Sequence, residues 1–553
     1  MNSNSIDAAL AVRMFLAGAR NLESKKEWVN ELNVFPVPDG DTGTNMTLTI
    51  MSAADELRGL ENPGMETVAK VISSGSLRGA RGNSGVILSQ LFRGWSKVCR
   101  NVKEIDTQVS CDAFQKAVET AYKAVMKPKE GTILTVARAG AEKARELFDA
   151  DPEIPMEDFL TGTIAYMEET LNKTPEMLPV LKEAGVVDSG GQGLLQIMKG
   201  CLNAYLGLDE EEDEEEEAAA EAYAYRVECV MTPPARMNAE ACRNLIGRLE
   251  MTGGKASLAR EGDALRVHVL TNEPGEVLSA AVRCGALSKV SVENEEERKG
   301  RAAGLFTEEE LAHADDILHE AEPEENAAAE STEMKPIGFI AVTIGDGLSE
   351  IFRELGADCL IEGGQTMNPS TQDILNAIDE VHAETIFILP NNKNIILAAE
   401  QAQKLTAEKK IVVIPTTTIP QGITALINFL PEKSAEENEE TMRGVILSVQ
   451  TVEVTYAVRD THIENREIHA GDLMGVGDHG ILAVSRDLTQ TVIESLQAMV
   501  REDSELISVY RGRDVSEEDA DAMAGRIQEA FPDCEVEMNP GGQPIYYYIL
   551  SVE

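Results

Sequence analysis

Two carboxylates flank a single glycine in Asn33-Val34-Phe35-Pro36-Val37-Pro38-Asp39-Gly40-Asp41-Thr42-Gly43-Thr44-Asn45-Met46, and small polar residues follow them into a helix-forming run. One residue apart in a turning loop, Asp39 and Asp41 can present oxygens to one side. Hard oxygen donors of this kind suit Mg²⁺, which is normally held by one or two carboxylates together with substrate phosphates and water. Downstream, Thr44-Asn45-Met46-Thr47 is placed to open a helix, where free N–H groups and the helix dipole favour an anion. A second reading is open on these residues alone, because Pro, Asp and Gly are also the residues of ordinary surface turns.

Three further stretches have the same character. Arg78-Gly79-Ala80-Arg81-Gly82-Asn83-Ser84-Gly85 frees backbone N–H groups through its glycines and sets Ser84 at a predicted helix start, although a glycine-rich helix connector would look the same. Gly131-Thr132-Ile133-Leu134-Thr135 is the next. Val187-Asp188-Ser189-Gly190-Gly191-Gln192-Gly193 is the last, and each joins one helical run to another.

These residues have to be positioned by helices. From Ser5 to about Tyr205 apolar residues recur at spacings of three and four, as in Phe114, Ala117, Val118, Ala121 and Val125, which predicts an all-α unit of about eight helices. Ser24-Lys25-Lys26-Glu27 has the form of a capping box before Trp28.

The fourteen-residue string and the three loops together resemble the nucleotide-binding kinase domain of the dihydroxyacetone kinase superfamily, in the version found in bacterial fatty acid kinase. That resemblance spans about 200 residues of the chain. It implies a helical barrel with ATP or ADP and two Mg²⁺ at one end. Carried over position by position, Asp39 and Asp41 are metal ligands and catalytic groups, and Asn33 stands where related kinases place a further Asp. Thr44, Asn45, Met46, Gly82, Asn83, Ser84, Gly131, Thr132 and Asp188 surround the nucleotide. Arg81, or Arg78 in its place, offsets charge in the reaction.

The rest of the chain divides by composition. Asp209 to Glu217 is an unbroken acidic run and Glu320 to Glu333 is polar, so both read as linkers. Expected domains are therefore 1–208, 223–319 and 335–553, with linkers at 209–222 and 320–334. In the middle domain a strand, a helix (Asn238 to Met251), two strands, a helix and a strand follow one another, the ferredoxin-like α+β order. The corresponding family domain can carry zinc, but its ligand positions read Arg226, His268 and Leu270 here, and Cys229 lies on the opposite strand face. Zinc is therefore not expected.

Beyond Lys335 short apolar strands alternate with helices, the parallel α/β signature, and glycine-rich turns follow the strand ends. Asn368 with Pro369 reads as an N-cap followed by a helix start. A polar insert, Glu432 to Glu440, leads into a second, strand-rich lobe containing a 445–459 strand and a 472–483 hairpin. The two lobes resemble the DegV-like fold of fatty-acid-binding proteins. His462, His469 and His479 lack metal spacing.

Composition bounds the function. In 553 residues with a formal charge of -47, a nucleic-acid backbone is excluded as partner, since that affinity rests on Lys and Arg. No run approaches the roughly twenty apolar residues of a membrane span, and the N-terminus lacks signal-peptide character, so a cytoplasmic location is expected. Eight scattered cysteines without Cys-x-x-Cys pairs predict free thiols. The family implies transfer of phosphate from ATP to the carboxylate of a fatty acid presented by a separate DegV-type carrier protein, and a homodimer. A small-polyol kinase is the alternative within enzymology; a lipid-binding or nucleotide-sensing regulator is the alternative outside it.

Overall fold

The computed structural model describes residues 4–34, 40–60, 62–125, 127–208, 224–232, 249, 255–261, 264–294, 334–364, 368–406, 409–457, 461–463, 466–478 and 480–553. Asp39, His479, both acidic or polar linkers, and all of the 238–251 helix except Leu249 lie outside these residues.

The N-terminal unit is built from helices α1 (Ala8–Glu23), α2 (Lys26–Glu31), α3 (Thr42–Arg58), α4 (Met65–Arg78), α5 (Gly82–Cys99), α6 (Thr107–Ala124), α7 (Ile133–Ala150), α8 (Met156–Asn172), α9 (Thr174–Met177), α10 (Pro179–Ala184) and α11 (Ser189–Leu206). Eight of them close a ring: α1 packs on α3, α3 on α4, and so on through α8, which meets α11, which returns to α1. Their apolar stripes bury Leu22, Met46, Ile50, Leu57, Phe159 and Met167 in one core, and an apolar cavity lined by Phe15, Phe92, Trp95 and Phe114 lies within it. Asp7 and Asp106 cap α1 and α6 by accepting the N–H of Leu10 and Val109. The seam between α1 and α11 is tight because it is made by glycines. A Cβ on Gly200 would stand 2.5 Å from Ala17 O and 2.8 Å from Gly18 Cα. Ser24 does not form the expected capping box: it ends α1, its hydroxyl donating to Asn21 O, and α2 starts without a side-chain cap.

In the middle unit β1 (Tyr225–Thr232), β2 (Lys255–Glu261), β3 (Ala264–Thr271) and β4 (Ala286–Asn294) form an antiparallel sheet in the order β2-β3-β1-β4, covered by α12 (Pro274–Val282). This is the ferredoxin-like order. Arg226 pairs directly with Leu270, whereas Cys229 points the other way into the core with Val227, Val267 and Val269.

The C-terminal unit has two lobes. Strands β5 (Lys335–Thr343), β6 (Cys359–Glu362), β7 (Ala383–Leu389) and β8 (Lys410–Val413) form a parallel sheet ordered β6-β5-β7-β8. It carries α13 (Asp346–Glu354), α14 (Thr371–Glu380), α15 (Ile396–Leu405), α16 (Ile419–Ile427) and α17 (Ala435–Val445). The second lobe is a six-stranded mixed sheet of β9 (Gln450–Tyr456), β12 (Leu473–Gly477), β13 (Gly480–Ser485), β14 (Leu506–Arg511), β15 (Glu535–Pro540) and β16 (Tyr548–Val552), with α18 (Leu488–Met499), α19 (Glu517–Ala530) and a small hairpin, β10 (Thr461–Ile463) and β11 (Arg466–Ile468).

Two local expectations are corrected here. The polar insert at 432–440 is mostly helix α17, because Ser434 and Glu437 make a capping box and Asn438 and Met442 supply the buried positions. The helix after Pro369 begins later than expected, capped by Ser370 with Asp373, which releases Asn368 for another task.

Candidate active site

All four glycine-bearing motifs stand at helix N-termini: 41–46 opens α3, 82–85 opens α5, 131–133 opens α7 and 188–193 opens α11. The first turns of these helices are neighbours. Asn45 on α3 lies against Gly82 and Gly85 on α5, Met46 on α3 lies against Gly193 on α11, and Ile133 on α7 lies against Gly190 on α11. Each first turn leaves N–H groups without intrahelical partners, so four positive helix ends gather at one mouth.

Gly82 is required by the geometry twice over. Its φ is +56°, in the left-handed region, and a Cβ there would stand 2.6 Å from Asn45 Nδ2. Beside it Arg81 N donates to Thr49 Oγ1, which in turn donates to Asn45 O, so α3 and the start of α5 are locked together. Gly131, with φ +81°, donates its N–H to Thr135 Oγ1, and Thr132 is the N-cap position of α7.

Asp188 is fully enclosed. Its Oδ2 accepts the Gly191 N–H at 2.7 Å, and the Ile133 N–H also donates to this carboxylate, so one side chain ties the starts of α7 and α11. Burial pushes its pKa up to about 6, the two backbone donors working against that rise. Asp188 therefore organises the mouth, holding the starts of α7 and α11 together.

Asp41 sits at the N-cap position of α3 and is 8 % exposed. Its carboxylate beside gathered helix N-termini is a hard-donor setting that fits Mg²⁺ carried with phosphates. Asn33 is buried at the end of α2. Among the described residues no three His, Cys, Asp or Glu side chains converge as a metal cluster, and Asp39 is not among those residues.

Other predicted residues divide. Asn45, Gly82, Asn83 and Ser84 belong to the mouth. Thr44 turns toward α2, its N–H donating to Asn30 Oδ1 at 3.0 Å and its hydroxyl accepting from Asn30 Nδ2 at 3.0 Å. Met46 is wholly buried, packed between α3 and α11. Arg78 is anchored to Glu56 at 2.5 Å.

The residues that sequence reasoning missed come from the α/β unit. Asn368 Nδ2 donates to Asp41 Oδ2 at 2.6 Å, and Arg81 Nη1 donates to Asn368 O at 2.8 Å while standing 3.6 Å from Asp373. Asn83 Nδ2 donates to Asn394 Oδ1 at 3.1 Å. The available signal was the position of Asn368 and of Asn391-Asn392-Lys393-Asn394 just beyond β6 and β7, where ligands of parallel sheets gather.

Comparison with known proteins places these units. Residues 36–203 match the DAK2 domain, 222–300 the FakA-like middle domain of fatty acid kinase, and 338–553 the FakA-like C-terminal domain of fatty acid kinase. Protein YloV of Bacillus subtilis is 40% identical over 574 residues, covering all of both chains, and an uncharacterized protein of Staphylococcus haemolyticus is 40% identical over 567 residues with the same coverage. Solved structures give partial overlaps. The dihydroxyacetone kinase from C. freundii in complex with AMP-PNP and Mg²⁺ is 16% identical, covers 36% of this chain and 34% of its own, and has a TM-score of 0.29. The Streptococcus pneumoniae fatty acid kinase B3 protein loaded with linoleic acid is 13% identical, covers 39% of this chain and 99% of its own, and has a TM-score of 0.28. With three matching segments in one order and full-length relatives at 40% identity, the chain belongs to the FakA-like family of fatty acid kinase proteins.

Proposed function

We propose that this protein is the ATP- and Mg²⁺-dependent component of a fatty acid kinase. It phosphorylates the carboxylate of a fatty acid held by a separate DegV-type carrier and yields an acyl phosphate for phospholipid synthesis. The observation that carries the reading is the meeting of four glycine-bearing helix N-termini beside the buried Asp41 in a DAK2-type ring.

A fatty carboxylate is ionised at neutral pH, so no general base is needed to activate it. Catalysis is then positioning and charge neutralisation, the dominant contributions in phosphoryl transfer. Asp41 and Asp39, with Asn33, would hold the metal, which when bound would supply positive charge to the phosphates. The N–H groups opening α5 hold phosphate oxygens in place, with Asn45, Asn83, Ser84, Gly131 and Thr132 shaping the pocket. Arg81 is the cation nearest to Asp41's partner Asn368 and is the group assigned to developing charge. Domains at 1–208, 223–319 and 335–553, a cytoplasmic location and a homodimer complete the proposal. With Arg226 and Leu270 at two family ligand positions, no zinc is assigned to the middle unit.

The test uses the full chain, Mg²⁺-ATP and a fatty-acid-loaded carrier, with acyl phosphate trapped as the hydroxamate. Acyl phosphate is expected only with all components present. Asp41→Asn should retain the fold and lose at least about 100-fold in turnover, in line with removal of a charge-stabilising group. ATP consumption indifferent to the carrier would refute the reading.

A further inference from the structure

The carboxylate of Asp41 is held from a part of the chain far from its own helix. Asn368, 2 % exposed, follows β6, and its Nδ2 donates to Asp41 Oδ2 at 2.6 Å. The same nitrogen lies 3.6 Å from the point where a Cβ on Gly82 would stand, so the amide reaches the openings of both α3 and α5. The backbone around Asn368 is fixed in turn. Arg81 Nη1 donates to its carbonyl at 2.8 Å, Arg81 and Ser370 form an isolated antiparallel bridge, and Thr371 N donates to Ala80 O at 3.1 Å. A second amide pair, Asn83 Nδ2 to Asn394 Oδ1 at 3.1 Å, joins the same two units.

We propose that Asn368 is a positioning residue for the metal site: it orients the Asp41 carboxylate for the cation that accompanies the nucleotide, so that the α/β unit completes the centre at the mouth of the helical ring. The proposal rests on the kinase reading above. Three observations support it. A donor on one oxygen of a ligating carboxylate fixes the plane of the group, and a neutral amide does this without cancelling the charge that attracts a cation. Arg81, the nearby cation that could cancel it, is directed instead to the Asn368 carbonyl and to Asp373, 3.6 Å away. Asn368 Oδ1 is buried without a hydrogen-bond partner among the described residues. An amide that served only to tie two units together would have both ends bonded, because an unpaired buried acceptor is costly. Here the side chain is placed for its donor.

Mn²⁺ in place of Mg²⁺, with ADP and the full chain, reads metal binding through the loss of its free EPR signal, independently of turnover. Asn368→Leu keeps much of the side chain's volume and removes the donor. Mn²⁺ should bind this variant about 10–100-fold more weakly than the wild type, as happens when the partner of a ligand is lost, while ADP affinity measured in EDTA stays unchanged. Gln401→Ala is the control. It breaks the buried Gln90–Gln401 pair, 3.0 Å apart in the same seam and about two turns further along α5, and should leave Mn²⁺ affinity unchanged. Equal Mn²⁺ affinity in Asn368→Leu and the wild type overturns the proposal. So do equal losses in Asn368→Leu and Gln401→Ala, because Asn368 would then act only by holding the seam. Asn368→Ala carries the same expectations where circular dichroism shows the leucine variant unfolded. Weakened Mn²⁺ binding in Asn368→Leu, with no acyl phosphate from the wild type, refutes the kinase reading alone. Acyl phosphate from the wild type, with Mn²⁺ held equally by Asn368→Leu, refutes the positioning role alone.

Discussion

Asp188 shows how a single side chain can be costly and still belong. Its folded pKa, about 6 against an ordinary 3.8, means that the folded chain holds this proton over a pH range in which the unfolded chain has released it. The sign follows: the carboxyl makes the fold less stable as pH rises from about 4 to about 6, by roughly 3 kcal/mol at about 1.4 kcal/mol per unit. Urea unfolding at pH 4 and pH 7 should therefore show a smaller loss over this interval for Asp188→Asn than for the wild type, and identical losses would refute the assignment. This residue and Asn368 differ in how far the sequence reveals them. Asp188 precedes Ser189-Gly190-Gly191, a local pattern that places it at a helix start. Asn368 has an equally good local reading as a helix cap, and its partner Asp41 is 327 residues away, beyond the reach of any pattern.

At the scale of elements, periodicity and loop chemistry were sufficient wherever the forces are local. The ring helices, the four parallel strands and the order of the middle sheet all follow from spacing and turn residues. Helix α17 escaped because its composition is polar and only Asn438 and Met442 are buried. The α1–α11 seam was also hidden, since nothing in a lone glycine says which helix will cross it. Gly200→Ala should force α1 away from α11, costing about 1–3 kcal/mol as overpacking does, and guanidinium unfolding would register it. Gly82→Ala combines a left-handed φ with a clash against Asn45, so it should lower nucleotide affinity as well as stability. A variant that lost stability but kept full nucleotide affinity would separate the α5 loop from the site.

For the molecule as a whole, the cluster shared by Ala80, Val86 and the parallel-sheet lobe couples two units that the sequence separates by more than a hundred residues. Val86→Asp would bury a charge in that cluster. Calorimetry is expected to resolve its melting into separate transitions for the helical and α/β units, where the wild type melts them together. The same cluster has a consequence during synthesis. The ring closes only with α11, which ends at Leu206, and Asn368 follows 162 positions later, which at about 5–20 residues per second is a delay of roughly 8–32 s on the ribosome. Throughout that interval the newly folded ring lacks its contacts with the α/β unit, so a nascent chain meets cellular nucleotide and metal before Asn368 has been translated.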